Sequence, residues 1–195
     1  MNSVNPFELD SYYARKKFFK IFGGELRIYD SSKTNLLFFV KQKAFKLKED
    51  IRVFADTSAS HELLQISARK IVDISATYDV TDSSTGQKIG ALKRQGLRSI
   101  LRDSWELLDS NNNVIAKITE DSQLKAMLRR FITVLIPQSY DITMGDTLVG
   151  VLKQTFNPFL PQFNVDFSMD SSRRLDRRLG IAAVILLQII EGKQQ

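Results

Sequence analysis

An apolar segment near the end of the chain constrains the fold more than any other feature of the sequence. Residues 179–190 are hydrophobic around the whole circumference of a helix and are bounded by Arg177, Arg178 and Glu191. Such a helix would be about 18 Å long, well short of the ~30 Å of hydrocarbon that a membrane-spanning helix must cross. A helix without a polar face needs protein on every side. We therefore predict a core helix over residues 174–191, enclosed by the rest of the chain.

The composition is that of a single globular domain. The 195 residues are 43% hydrophobic and 26% charged, which suits one domain over residues 1–195 with a sizeable core. The absence of cysteine excludes disulfides and thiolate catalysis and is typical of a reducing compartment. Residues 1–10 carry acids and no basic region followed by an apolar stretch, so they do not resemble a secretory signal. We expect a cytoplasmic protein, peripheral at a membrane, without transmembrane insertion.

A repeated turn pattern divides much of the chain into hairpins. Intervals of 26 or 27 residues separate four aspartates, Asp30, Asp56, Asp82 and Asp109. Each aspartate ends a strand-like stretch and begins a polar turn that another strand-like stretch follows, which is typical of β-hairpins. A fifth turn at 144–146 and an alternating stretch at 163–167 extend the series, whereas helical spacing over 122–133 interrupts it.

Five hairpins and an additional strand predict a sheet of eleven or twelve strands. A sheet of that size tends to curl, and closing it into a barrel removes its exposed edges. A barrel of about eleven strands can hold a central helix. We therefore predict a mostly β fold, a closed antiparallel barrel of about 12 strands around the buried hydrophobic C-terminal helix, with residues 1–20 as an N-terminal extension.

Three stretches within this pattern, residues 39–51, 86–93 and 176–185, resemble the LURP-one-related family. That family is similar to phospholipid scramblases and to the C-terminal domain of Tubby proteins, and the resemblance covers about residues 20–190. It implies a twelve-stranded antiparallel barrel around a hydrophobic helix. Tubby domains bind phosphoinositides and scramblase-like proteins are linked to phospholipids, but a shared fold does not by itself establish a shared function.

The sequence departs from the scramblase pattern in two respects. Scramblases carry a cysteine-rich palmitoylated stretch and a proposed acidic calcium segment just before the terminal helix. This chain has no cysteine, and residues 155–161 contain no acid. Calcium-activated lipid scrambling is therefore not expected, and a lipid-sensing or ligand-binding module fits the sequence better.

One basic stretch is a candidate for contact with a membrane surface. It interleaves cations with aromatic side chains within residues 12–20, and its candidate residues are Arg15, Lys16, Lys17, Phe18, Phe19 and Lys20. Aromatics beside basic side chains suit an anionic membrane, where each nearby cation adds about 1 kcal/mol. The same mixture could bind single-stranded nucleic acid. A third interpretation is a strand or helix whose aromatics enter the core while its lysines face water.

A second basic set is a candidate for binding phosphate or a lipid headgroup. Its members are Lys93, Arg94, Arg98 and Arg102, and Lys41 and Lys43 could join them if their strands lie nearby, as could Lys46 and Lys48. Arginine suits bidentate contacts with phosphate. The alternative is a solvated charged rim. A further group of arginines at 173, 174, 177 and 178 could contact a membrane, but we expect it to mark the mouth where the helix enters the barrel.

The sequence gives little support to catalysis. His61 is the single histidine, and no catalytic triad spacing or glycine-rich phosphate loop is present. Asp109, Asn111 and Asn113 match the start of a calcium-loop template, but the glycine expected next is Val114, which favours a hairpin turn. We predict no catalytic residue, no metal site and no cofactor.

These observations favour a non-enzymatic binding module for anionic phospholipid headgroups, consistent with the net charge of +6. Two alternatives remain open at this stage. The domain could bind a protein partner, or its basic surface could bind single-stranded nucleic acid, which is the less favoured partner.

Overall fold

The computed structural model describes residues 5–19, 23–42, 50–69, 76–95, 104–120, 138–155 and 162–190. Within these residues the strands are β1 (Ser11–Phe19), β2 (Gly23–Asp30), β3 (Leu36–Gln42), β4 (Asp50–Phe54), β5 (Glu62–Ala68), β6 (Thr77–Asp82), β7 (Lys88–Gln95), β8 (Ser104–Asp109), β9 (Val114–Glu120), β10 (Ser139–Met144), β11 (Thr147–Thr155) and β12 (Gln162–Asp166). A short 3₁₀ helix spans Pro6–Glu8, and the α-helix α1 spans Arg177–Ile190.

The strands form one closed antiparallel barrel, which confirms the predicted fold class. Each strand pairs with its neighbours in the chain, and β1 closes the barrel by pairing with β12 as well as with β2. Each described strand therefore has a hydrogen-bonded neighbour on both sides, an arrangement that removes the usual route to edge-to-edge aggregation. Residues 11–19 of the predicted N-terminal extension are therefore a wall of the barrel, because their backbone completes the ladder between the first and last strands.

The aspartate-initiated turns lie at one end of the barrel, here called the turn end. Asp30 and Asp109 each accept hydrogen bonds from backbone N–H groups of their own turns, for example from Asn111 and Asn113 at 2.8 Å. Hydrogen bonds from the Ser32 hydroxyl and from the Asn35 side chain help lower the pKa of Asp30 to about 2. The predicted hairpins are confirmed, and the segment that matches the calcium-loop template is a hairpin turn between β8 and β9.

The helix α1 runs through the middle of the barrel, as the apolar segment predicts. Every residue from 179 to 189 is buried, and most belong to the same hydrophobic core as the inward-facing side chains of the strands. The helix begins at Arg177 rather than at residue 174, because the Asp176 carboxylate accepts the backbone N–H of Arg178 at 2.9 Å and caps the first turn. Within the described residues, no helix has the length and apolar character needed to cross a bilayer.

The close packing of α1 against the wall depends on Gly90 in β7. A Cβ atom at this position would lie 2.2 Å from the Leu108 carbonyl oxygen and 3.1 Å from a methyl group of Leu179. A Gly90→Ala variant should therefore lose about 1–3 kcal/mol in its free energy of unfolding, measured by denaturant titration, because the neighbouring backbone must move. Gly86→Asn is the control, because its φ of +68° suits asparagine and nothing lies within 4 Å of the new Cβ. Equal stability of wild type and Gly90→Ala would contradict this packing.

A candidate basic face on the barrel wall

The alternation of side chains along β1 separates the first basic stretch into two groups. Tyr12, Ala14 and Lys16 are buried and point into the barrel, whereas Arg15 and Lys17 point outward. Phe18 and Phe19 belong to the same strand, but their side chains lie outside the described part of the structure, as does Lys20. The predicted membrane-surface set is therefore not one continuous surface.

Lys16 is a correction to that set. Its side chain is fully buried, and its Nζ donates a hydrogen bond of 2.7 Å to the carbonyl oxygen of Gln188 in the last turn of α1. The last carbonyls of a helix have no partner within the helix, and a cation is favourable at this negative end of the helix dipole. Lys16 therefore stabilises the end of the central helix and does not face a membrane.

Strand pairing places the outward residues of β1 beside those of β2 and β3. Arg15 lies opposite Arg27, and Arg27 lies opposite Phe39. Two residues further along β1, Lys17 lies opposite Glu25 of β2, and Lys41 of β3 lies opposite Glu25 on its other side. We call this surface the outer β1–β3 face, and with the ring-stacked Lys33 of the β2–β3 turn its members are Tyr13, Arg15, Lys17, Glu25, Arg27, Tyr29, Lys33, Phe39 and Lys41.

Aromatic rings hold three of its cations in place. The Arg15 guanidinium carbon lies 5.6 Å from the centre of the Tyr29 ring, and its Nη2 donates to the Tyr29 hydroxyl at 3.3 Å. The Arg27 guanidinium lies 5.8 Å from the Phe39 ring, and Lys33 Nζ lies 4.5 Å from the Tyr13 ring. These are cation–π distances, and they restrict the motion of the three side chains while leaving them at the surface. The three cations are therefore held at defined positions on the surface.

The outer β1–β3 face has an excess of positive charge. Glu25 in β2 is the acidic member of the face, and its Oε2 lies 2.8 Å from Nη2 of Arg27. Burial raises the pKa of Tyr13, although Arg15 opposes this shift, so the phenol stays neutral near pH 7. Tyr13 is 8% exposed and Phe39 is 2% exposed, so the cations cover these rings. The face therefore offers positive charge to a partner and little aromatic surface.

The two described members of the second predicted basic set, Lys93 and Arg94, lie in β7 on the opposite wall. In the barrel order β7 is six strands from β1 in either direction, and Lys93 projects from β7 with its Nζ 3.9 Å from Glu106. Arg94 shares the inward register of Leu92, since alternate residues of a strand face the same way. Lys41 lies in β3 with the first set and not beside Lys93. The remaining candidates are outside the described residues; they are Arg98, Arg102, Lys43, Lys46 and Lys48.

Arginines do mark the mouth of the barrel, as the sequence predicts. Arg177 is buried at the start of α1, where its Nη1 lies 2.9 Å from Asp170 and its Nη2 lies 3.2 Å from Asp10. Its guanidinium also lies 5.0 Å from the centre of the Phe167 ring. This cluster joins the N-terminal segment (residues 5–10), the residues after β12 and the first turn of the helix.

The single histidine, His61, is exposed in the turn before β5. Over the ranges that the structure describes, no group of three or more His, Cys, Asp or Glu side chains is arranged to hold a metal ion.

The architecture defines the class of protein, a closed antiparallel β-barrel threaded by a hydrophobic C-terminal helix. A family model described as LURP-one-related matches residues 36–188, and the chain belongs to that family. The matched range begins at β3, so β1 and β2, which supply much of the outer β1–β3 face, precede it. Neither a curated protein nor a solved structure matches this chain.

Proposed function

We propose that this domain is a non-enzymatic binding module that recognises anionic phospholipid headgroups through the outer β1–β3 face. The observation that carries the proposal is the row of cations on three adjacent strands, with Arg15 and Arg27 opposite each other and held on aromatic rings. Ordered guanidinium groups lose less conformational freedom when they bind phosphate, and each can donate two parallel hydrogen bonds.

The charge on the face is enough for weak attachment to a membrane. The positive charges of the face outnumber the single negative charge of Glu25 by about four. Each cation near an anionic surface contributes about 1 kcal/mol to the binding free energy. A total of about 4 kcal/mol corresponds to a dissociation constant of about 1 mM in accessible lipid. Tighter binding requires direct contacts between the arginines and headgroup phosphates. We therefore expect attachment that depends on salt concentration and on the identity of the headgroup.

The same face is less suited to single-stranded nucleic acid. Proteins that bind single strands stack successive bases on open aromatic rings. Here the Tyr13 and Phe39 rings are nearly covered, and Lys33 and Arg27 lie over them. The cations of the face can also contact the phosphate groups of a nucleic acid, so an oligonucleotide belongs in the test as a competing partner.

A pair of charge-reversal variants tests the proposal. Lys17→Glu combined with Lys41→Glu changes the charge of the face by about four and should weaken vesicle binding by about a thousandfold, or abolish it. Vesicles of phosphatidylcholine with phosphatidylserine or a phosphoinositide are the probe, with co-sedimentation as the measurement. Thermal unfolding should fall only slightly, because both side chains are exposed, although the two new carboxylates lie opposite Glu25.

The opposite wall supplies a matched control. Lys93 and Lys117 lie on either side of Glu106 in β7, β8 and β9, the same arrangement that Lys17 and Lys41 make around Glu25. Lys93→Glu combined with Lys117→Glu should leave vesicle binding within about twofold, because this row is on the other side of the barrel. Equal loss in both double variants would assign the binding to net charge alone. Preferential binding of an oligonucleotide over vesicles would overturn the lipid proposal.

A further inference from the structure

A cavity of about 620 Å³ opens at the turn end, beside the point where α1 enters the barrel. Its walls come from the N-terminal segment, the β4–β5 and β6–β7 turns, and residues 173–178. Cavities of this volume are typical of small-molecule sites. The cavity is separate from the outer β1–β3 face, and none of the members of that face lines it.

Two of the arginines in the cavity wall have structural roles. Arg178 donates to Asp176 through Nε and Nη2, at 3.0 and 2.6 Å, and to Asp82 through Nη1 at 2.8 Å. Hydrogen bonds with Asp176 are the largest cause of the raised pKa of Arg178. Arg177 is buried in its pairs with Asp170 and Asp10. These two side chains hold the mouth together through carboxylates, although the buried Nε of Arg177 has no hydrogen-bond partner among the described residues.

Arg174 is different. Its side chain is 46% exposed, and its Nε lies 3.9 Å from Asp170, which is too long for a hydrogen bond. A guanidinium has five N–H donors in a planar fork, so Arg174 can present donors to a ligand in the cavity. Arg173 is also about half exposed at the rim, where it donates to the carbonyl oxygen of Glu8.

Two backbone N–H groups in the first turn of α1 already have acceptors. The Asp176 side chain already accepts the backbone N–H of Arg178, and the Asp176 carbonyl oxygen accepts that of Gly180. The charged side chains that line the cavity are the four arginines and the acids Glu62, Asp82 and Asp176. Asp10 and Asp170 behind the wall pair with Arg177, so the arginines of the mouth are matched by carboxylates. Arg174 is exposed and 3.9 Å from its carboxylate partner, so its N–H donors are the ones that suit a ligand with one anionic group.

We infer that this cavity binds a small organic anion. The phosphate or carboxylate group of the ligand is held by the Arg174 guanidinium, with Arg173 beside it. The remainder of the ligand packs against the apolar side chains of the wall, Phe7, Leu63 and Leu175. The inference does not depend on membrane binding, because the cavity and the outer β1–β3 face share no residue.

Titration with three small probes tests the inference. Phenyl phosphate and benzoate carry the two candidate anionic groups on the same ring, and benzyl alcohol is the uncharged control. The wild-type protein should bind at least one of the two anions more tightly than benzyl alcohol, with backbone amide shifts at Leu63 and Leu175 in NMR spectra. A preference between the two anions identifies the group that the cavity recognises. Absence of binding by both anions at millimolar concentration would overturn the inference.

Two single variants separate this site from the outer β1–β3 face. Arg174→Gln should weaken anion binding by about tenfold or more, because it removes a charge-assisted hydrogen-bond donor. Arg27→Gln is the control; Arg27 is 36% exposed on the outer wall and does not line the cavity, so its loss should leave the ligand-dependent amide shifts at Leu63 and Leu175 unchanged while lowering vesicle binding. Unchanged anion binding in Arg174→Gln would overturn the inference. Vesicle binding that persists in Arg174→Gln while anion binding fails would leave the proposed function intact.

Discussion

A Val184→Asp variant should not fold. Val184 lies in the middle of α1 with no exposed surface, and the barrel wall surrounds it on every side. An unpaired carboxylate there costs several kcal/mol, whether it stays ionised or takes up a proton. That cost is a large fraction of the 5–15 kcal/mol that typically stabilises a domain. We expect insoluble protein, or soluble protein without a cooperative thermal transition in circular dichroism.

Val184→Ala is the control for this experiment. It removes two methyl groups without adding charge and should lower the free energy of unfolding by about 1–3 kcal/mol while the protein still folds. If Val184→Asp instead melted cooperatively near the wild-type temperature, the side chain would have to reach water or a cation. The central position of α1 would then be wrong.

The second large effect is expected from Asp170→Asn. Asp170 is 3% exposed, accepts the backbone N–H groups of Arg174 and Leu175 at 3.0 Å, and pairs with buried Arg177 at 2.9 Å. The neutral variant leaves the Arg177 charge buried with a weaker partner, and breaking such a pair typically costs about 3–5 kcal/mol. We expect a loss of about 3 kcal/mol in denaturant unfolding, because Asp10 still faces Arg177.

Asp56→Asn is the matched control, because this aspartate accepts backbone hydrogen bonds in an exposed turn. Asparagine can accept the same bonds, so the change should cost less than about 1 kcal/mol. A loss at Asp170 no larger than the loss at Asp56 would show that the buried pair with Arg177 is not a major source of stability.

The pH dependence of Asp170→Asn gives an independent check. Burial acts to raise the pKa of Asp170, but hydrogen bonds from the Leu175 N–H and the Arg177 guanidinium outweigh it and hold the pKa below its usual value. A lowered pKa in the folded state stabilises the protein above the unfolded-state pKa of about 3.9, and this contribution disappears as the pH falls through the folded-state pKa. The difference between wild type and variant should therefore be complete above about pH 5 and shrink below about pH 4. A difference in unfolding free energy that stays constant down to about pH 2 would contradict the stabilising role of the ionised Asp170 carboxylate.

The sequence predicts the architecture well because its signals are local. The aspartates at 30, 56, 82 and 109 each begin a turn whose hydrogen bonds are made within a few residues. The apolar segment from 179 to 189 is buried as its lack of a polar face requires. Strand number and closure then follow from hairpin chemistry and from the need to bury that helix.

The candidate face was only partly predictable, because strand register decides which side chains meet. Arg15, Lys17 and Lys41 were named from the sequence, but Arg27, Tyr29 and Lys33 join them only through the pairing of β1, β2 and β3. The alternation of charged and apolar residues over 25–29 was the signal that could have found Arg27. Lys16 was assigned to the surface because a lysine is rarely buried unless it has a partner. Its partner, the Gln188 carbonyl oxygen, lies 172 residues further along the chain, so no local signal indicates it.

The cavity at the turn end had no local signal at all. Its walls combine the N-terminal segment, two hairpin turns and the entrance to α1, which are distant in the sequence. The arginines of that entrance were predicted to mark the mouth of the barrel. Their division into the paired Arg177 and Arg178 and the more exposed Arg174 depends on carboxylates of other segments.

The most direct test of the proposed function is sedimentation of the wild-type protein with vesicles of graded anionic content at physiological salt. We predict saturable binding that increases with the fraction of phosphatidylserine or phosphoinositide and differs between these headgroups at equal charge. Binding to neutral vesicles of the same strength, or no binding to any vesicle, would contradict the proposal. The outer β1–β3 face would then have to serve a protein partner.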